Sequence, residues 1–147
     1  MKSFKTFISE NIEIPSKSKT MGVDRKEMPQ IDGKHIRDFI SFLDKKGVSS
    51  SKKKINPNKL KATQHQFHKA KVQSLMDYME KGEYDNKPIL VSKDGYVMDG
   101  HHRWLAHKNT EKDIAVHQVN ANAKKLIQHM HEYPKSYTKK LYENEIL

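Results

Sequence analysis

The run Val97-Met98-Asp99-Gly100-His101-His102-Arg103 brings a carboxylate, a glycine, two imidazoles and a guanidinium together. An aspartate in such a group can hold a magnesium ion, orient a histidine or accept a proton. An arginine grips phosphate oxygens in a fork, and glycine lets the backbone come close to a ligand. If a strand leads into this run and a helix leaves it, the first N–H groups of the helix and its positive dipole end converge on one spot. Such a spot binds phosphate or carboxylate. The expected roles are Asp99 and His102 in catalysis, Asp99 as a magnesium ligand, and Gly100, His101, His102 and Arg103 on phosphate. Two histidines and an arginine at a helix start are otherwise ordinary surface residues. Here they follow a hydrophobic strand and precede Trp104-Leu105-Ala106, which must be buried, so apolar neighbours pin them.

The elements that must position this run are legible from periodicity. Pro88-Ile89-Leu90-Val91-Ser92 reads as a short buried strand, Lys93-Asp94-Gly95 as a tight turn, and Tyr96 to Asp99 as the return strand. Gly100 breaks that strand, and His101 to Lys108 is predicted helical. Upstream, Asp32 can cap a helix carrying Ile36, Phe39, Ile40 and Leu43 on one face, with Gly47 as its left-handed stop. A second helix is expected to begin after Thr63, where Thr63-Gln64-His65-Gln66 has capping-box spacing, and to end at Gly82. Ile114 to Val119 reads as a strand and Ala123 to Met130 as a helix, while the tail from Pro134 is expected to form a last helix or a packing arm. The expected fold class is α+β, a short mixed sheet packed by several helices. A loosely ordered segment over 1–24, a domain over 25–133 and a tail over 134–147 divide the chain.

Other residues compete for attention. Thr63 and Gln64, placed at a helix start, would face the same pocket as residues 99–103, and a plain capping box explains them equally well. Arg25 and Gln30 flank Pro29 in an extended stretch and would close over the site as a substrate clamp, or serve only as a strand edge. His65-x-x-His68 puts two imidazoles on one helical face, but no cysteine or acidic partner completes tetrahedral zinc, so surface histidines are expected. His129-x-His131 is weaker still, since alternate helix residues point apart.

Composition sets outer limits. The 147 residues suffice for one compact domain, and a mean hydropathy of −0.92 fits a solvated protein with a thin core. No apolar run approaches membrane-spanning length and no secretory h-region opens the chain. The absence of cysteine excludes disulfides, thiolate zinc sites and a cysteine nucleophile. A cytosolic address is expected. The formal charge of +10 attracts phosphate backbones without sequence preference, so DNA is a candidate partner. The densest run, Lys52-Lys53-Lys54 after Ser49-Ser50-Ser51, reads as a solvated loop as readily as a DNA-binding patch.

Pro88-Ile89-Leu90-Val91 with Gly95 through Ala106 resembles the central block of the ParB/sulfiredoxin superfamily. Ile55-Asn56-Pro57 through Leu60-Lys61-Ala62-Thr63-Gln64 is similar to the segment preceding the first helix there, so the resemblance spans about residues 55–119. Together with Arg25-Lys26-Glu27-Met28-Pro29-Gln30 it most resembles ParB-like proteins of tailed phages. The resemblance implies nucleotide or nucleic-acid phosphate binding at the turn, in a host cytoplasm. Partition proteins of the superfamily carry Gly-Glu-Arg-Arg and hydrolyse CTP. Only Gly100 and Arg103 carry over, and no helix-turn-helix is evident after the block. Sulfiredoxins need a cysteine where this chain has His101, which excludes their reaction. The Asp-Gly-His-His-Arg form is similar to members resembling free-serine kinases, which transfer phosphate from ATP or ADP. For that group a catalytic carboxylate is expected near the first strand, and Glu27 is the early candidate. Phage relatives described as ParB-like nucleases imply a nickase on the same site as the alternative, and a non-catalytic DNA-binding or host-inhibitor module is the third reading. Ile8-Ser9-Glu10 resembles the cleavage signal of phage prohead proteases, which would make this a packaged protein.

Overall fold

The computed structural model describes residues 12–138. Phe4, Phe7 and Ile8 of the predicted N-terminal turn, the Ile8-Ser9-Glu10 signal, and Leu141 and Tyr142 of the tail lie outside the described residues. The fold is α+β. The described strands are β1 (Pro29–Gln30), β2 (Ser50–Ile55), β3 (Lys61–Ala62), β4 (Ile89–Val91), β5 (Tyr96–Asp99), β6 (Ile114–Val119) and β7 (Tyr137–Thr138). The helices are α1 (Ile36–Lys45), α2 (Lys69–Glu80), α3 (His101–Asn109) and α4 (Ala123–Glu132). One mixed sheet runs in the order β2-β6-β4-β5-β3, and β1 pairs with β7 as a separate ribbon. Within the sheet β2 is antiparallel to β6, β6 parallel to β4, β4 antiparallel to β5, and β5 parallel to β3.

Alternation along the central strands divides the core between the two faces of the sheet. Ile89 and Val91, Val97, and Ile114 and Val116 face one side, where Val72 of α2 and Trp104 and Leu105 of α3 cover them. Leu90, Met98 and Val119 face the other, under Phe39 and Leu43 of α1 and Leu126 and Met130 of α4. All three residues of β4 are buried, which is why its sequence is a continuous apolar run. Trp104 is 1% exposed, and its indole N–H donates to the Pro57 carbonyl at 2.8 Å.

Several expected boundaries move. Asp32 does not cap α1: a 3-10 turn over Gly33–His35 intervenes, and the Asp32 carboxylate instead accepts a hydrogen bond from the Tyr137 hydroxyl at 2.8 Å. Thr63-Gln64-His65-Gln66 is no capping box, because α2 starts only at Lys69 after His68. His65 and His68 therefore share no helical face, and His65 pairs with Asp24 at 2.7 Å. The lysine run that reads as a loop is β2, an edge strand. Consecutive lysines hide the strand, since neither face of its middle is buried and no alternation survives. In its described part, to Thr138, the tail packs on the domain as the short strand β7 against β1. Residues 12–24 are tied to the domain: Ile12 joins the core, Glu13 exchanges hydrogen bonds with the Asn109 side chain of α3, and the Met21 and Val23 N–H groups donate to the Ala62 and Thr63 carbonyls.

Candidate functional site

Strand β5 delivers Asp99 to the edge of the core, and Gly100 turns the chain into α3 at φ +95°. Glycine is required here twice over. The backbone is left-handed, and a Cβ at this position would stand 2.4 Å from Cγ2 of Ile89. The close approach that the sequence suggested is thus to a core isoleucine of β4. The turn it permits places the first residues of α3, whose N–H groups have no partner within the helix, at a cavity of about 270 Å³.

That cavity is lined by residues 99–103 together with Arg25, Gln30, Gln64 and Lys71. Five segments far apart in sequence supply it: the turn before β1, β1 itself, the stretch after β3, α2 and the β5–α3 junction. Among the described residues, Arg25, Lys71 and Arg103 and the carboxylate of Asp99 line the cavity together. A second cavity of about 270 Å³ shares Asp99, Gly100 and Arg103 and is otherwise largely apolar, walled by Ile31, Ile36, Pro88, Ile89 and Leu90.

Each side chain is held. Asp99 is half-buried and accepts the Ile31 N–H on Oδ2 at 3.2 Å. His102 accepts the His68 N–H on Nε2 at 2.9 Å, so the neutral ring carries its proton on Nδ1. Arg103 donates from Nη1 to the Lys87 carbonyl at 2.9 Å and lies 5.6 Å from the Tyr84 ring centroid. Arg25 is only 5% exposed, and its N–H donates to Oε1 of Gln66 at 3.0 Å. Gln64 is 2% exposed and donates from Nε2 to the Gln66 carbonyl at 2.9 Å. Gln30 reaches the Met28 carbonyl at 3.4 Å.

His101 differs from its neighbour. It is buried, with Nε2 at 3.2 Å from the Thr63 nitrogen and 3.1 Å from the Thr63 hydroxyl, which itself donates to the Val97 carbonyl at 2.8 Å. Burial pushes its pKa down to about 3, and a positive charge on His102, when that ring is protonated, and on Arg25 adds to the effect. His101 is therefore an uncharged brace between α3 and β3, and it brings no positive charge to the cavity.

The structure brings together Arg25, Gln30, Gln64 and residues 99–103, all singled out from sequence. It does not bring in Thr63, which sits behind His101, or Glu27, whose side chain is exposed and does not line the cavity. Lys71 was not anticipated, because an exposed lysine in a helix carries no periodic signal. The backbone donors of Ile31 and His68 have no side-chain signature at all. No cluster of three His, Cys, Asp or Glu residues suited to a metal is present among the described residues. Asp99 alone fits a magnesium ion that takes its other ligands from phosphate and water.

No protein-family model matches the chain, and no curated protein matches it. Among solved structures it is similar to a Pnob8-like ParB-N domain determined in a C2221 crystal form, with 16% identity and a TM-score of 0.41. The match covers 67% of this chain and 41% of that one, so this chain spans about two fifths of the length of its structural neighbour.

Proposed function

We propose that this protein binds the phosphates of a nucleotide at residues 99–103 and is a phosphotransferase or nucleotide hydrolase of ParB/sulfiredoxin-like type. The observation that carries the reading is the cavity at the start of α3, to which separate segments bring Arg25, Lys71, Asp99, His102 and Arg103. Phosphoryl transfer asks chiefly for positioning and charge neutralisation, and these groups supply both. The apolar cavity beyond Asp99 and Arg103 suits the uncharged part of such a ligand. The Asp-Gly-His-His-Arg resemblance to kinase-like members supports the same class. Asp99 is the residue that would hold a magnesium ion, whose chemistry there would be neutralisation of phosphate charge. His102 exchanges a proton most readily at Nδ1, since Nε2 is held by His68.

A second reading, binding without turnover, is favoured by one observation: among the described residues Asp99 is the only carboxylate lining the cavity. Calorimetric titration with ATP, ADP and CTP, with and without magnesium, followed by assays of nucleotide consumption and plasmid nicking, separates the readings. Arg25→Ala should weaken nucleotide affinity by roughly tenfold or more, the worth of a charged hydrogen bond. Asp99→Asn should retain metal-free binding and lose turnover. Binding that survives with no turnover of any substrate leaves the non-catalytic reading. Absence of nucleotide binding at millimolar concentration overturns both.

A further inference from the structure

The face of the molecule at the far edge of the sheet carries a second concentration of positive charge, distinct from residues 99–103. Strand β2 is an edge strand, and Lys52, Lys53 and Lys54 are all exposed along it. Their register opposite His117, Val116 and Ala115 of β6 puts Lys52 and Lys54 on one face and Lys53 on the other. Lysines two apart on a strand repeat every ~6.6 Å, comparable to successive phosphates of a nucleic-acid strand. Lys53 meets Lys93, from the β4–β5 turn, in a cavity of about 300 Å³ whose other walls include Ser49, Ser51, Gln118 and Asn120, with no acidic residue among them.

Among the described residues, none of these four ammonium groups lies within ion-pair distance of a carboxylate. Lys46, Lys87 and Lys135 are paired with Glu132, Asp85 and Asp38. Protecting an edge strand from pairing explains one or two lysines. It does not explain a fourth, brought by a different turn to a recess of hydroxyl and amide groups.

We propose that the β2 edge, with Lys52, Lys53, Lys54 and Lys93, docks the phosphate backbone of nucleic acid without reading its sequence. Lysine, serine, asparagine and glutamine side chains are the usual partners of phosphate oxygens. An acidic protein partner fits less well, because the patch offers no exposed aromatic or aliphatic anchor of the kind that protein interfaces use. The inference is independent of the nucleotide reading above, since the two sites share no residue.

The test is fluorescence anisotropy of the full chain with a labelled duplex of arbitrary sequence and with a single strand, from low to moderate salt. Lys52→Gln, Lys53→Gln and Lys54→Gln combined should weaken binding at least tenfold and reduce the log–log salt slope by about 2 to 3. A charge-matched control, Lys34→Gln, Lys45→Gln and Lys124→Gln, should lose less than threefold. The double variant Lys53→Gln/Lys93→Gln spares two strand positions and provides a check should the triple variant misfold. Equal losses in the patch and control variants would sink the proposal. So would no nucleic-acid binding at low salt, or polyglutamate binding as tightly as DNA through the same lysines.

Discussion

Gly100 and His101 show how much of the site rests on single residues. Gly100→Ala combines a left-handed backbone with a 2.4 Å contact on Ile89, and is expected to destabilise the protein by about 3 kcal/mol. Urea unfolding measures the loss, and shortening Ile89 to Ala in the same chain should recover about 1 kcal/mol of the additive sum. His101 offers a pH test. Its folded pKa lies below the unfolded value of 6.5, so the unfolded chain takes up this proton first as pH falls. The neutral brace holds its full stability above about pH 6.5 and loses it progressively toward the folded value of about 3. His107, His117 and His129 are also depressed, chiefly by burial, and push the same way. His101→Gln should therefore flatten stability against pH between 6.5 and 4.5 by up to about 1.4 kcal/mol per pH unit. An unchanged slope would show that the imidazole is not the group held neutral.

At the scale of elements, the ribbon of β1 and β7 matters more than its length suggests. It pairs Gln30, which lines the cavity, with Tyr137 of the C-terminal stretch. Tyr137 also bonds Asp32, and its own ionisation is raised to about 12 by desolvation, by that bond and by the nearby Asp32 and Asp99 charges. Tyr137→Phe, which removes the bond to Asp32, should bind nucleotide roughly threefold more weakly. Titration of the variant checks this, and undiminished affinity would detach the ribbon from the site. Helix α4 is anchored more conventionally: the Asn122 side chain accepts the Lys125 N–H at 2.9 Å, and Asn122→Ala should cost about 1 kcal/mol.

For the molecule as a whole, one sheet carries both halves of the core, so the halves should melt together. Trp104, the single tryptophan, reports the face under α2 and α3, whereas far-UV circular dichroism reports every helix. Their unfolding curves are expected to coincide. Trp104→Phe leaves the Pro57 carbonyl without its donor and should lower stability by about 2 kcal/mol. Separated transitions would show that the two faces fold as independent units.

The β4–β5 hairpin, the break at Gly100 and the helices α1, α3 and α4 were legible in the sequence. They depend on local period, turn chemistry and short-range burial, as Ile89-Leu90-Val91 and Lys93-Asp94-Gly95 illustrate. The same local signals picked out Asp99 through Arg103, but Gln64 reaches the cavity from the stretch after β3 and not from the helix start expected of it. The placement of Thr63, Glu27 and Lys71 was not legible, because it depends on which segments the sheet order brings side by side. Nor was the division of labour between two adjacent histidines. Burial against Thr63 neutralises His101, while His102 accepts a backbone N–H from residue 68. Residue types and spacing determined that a charged turn would form between a strand and a helix. Only tertiary packing decided which of its groups carry charge, which are buried as braces, and that Arg25 and Lys71 arrive from distant segments to complete it.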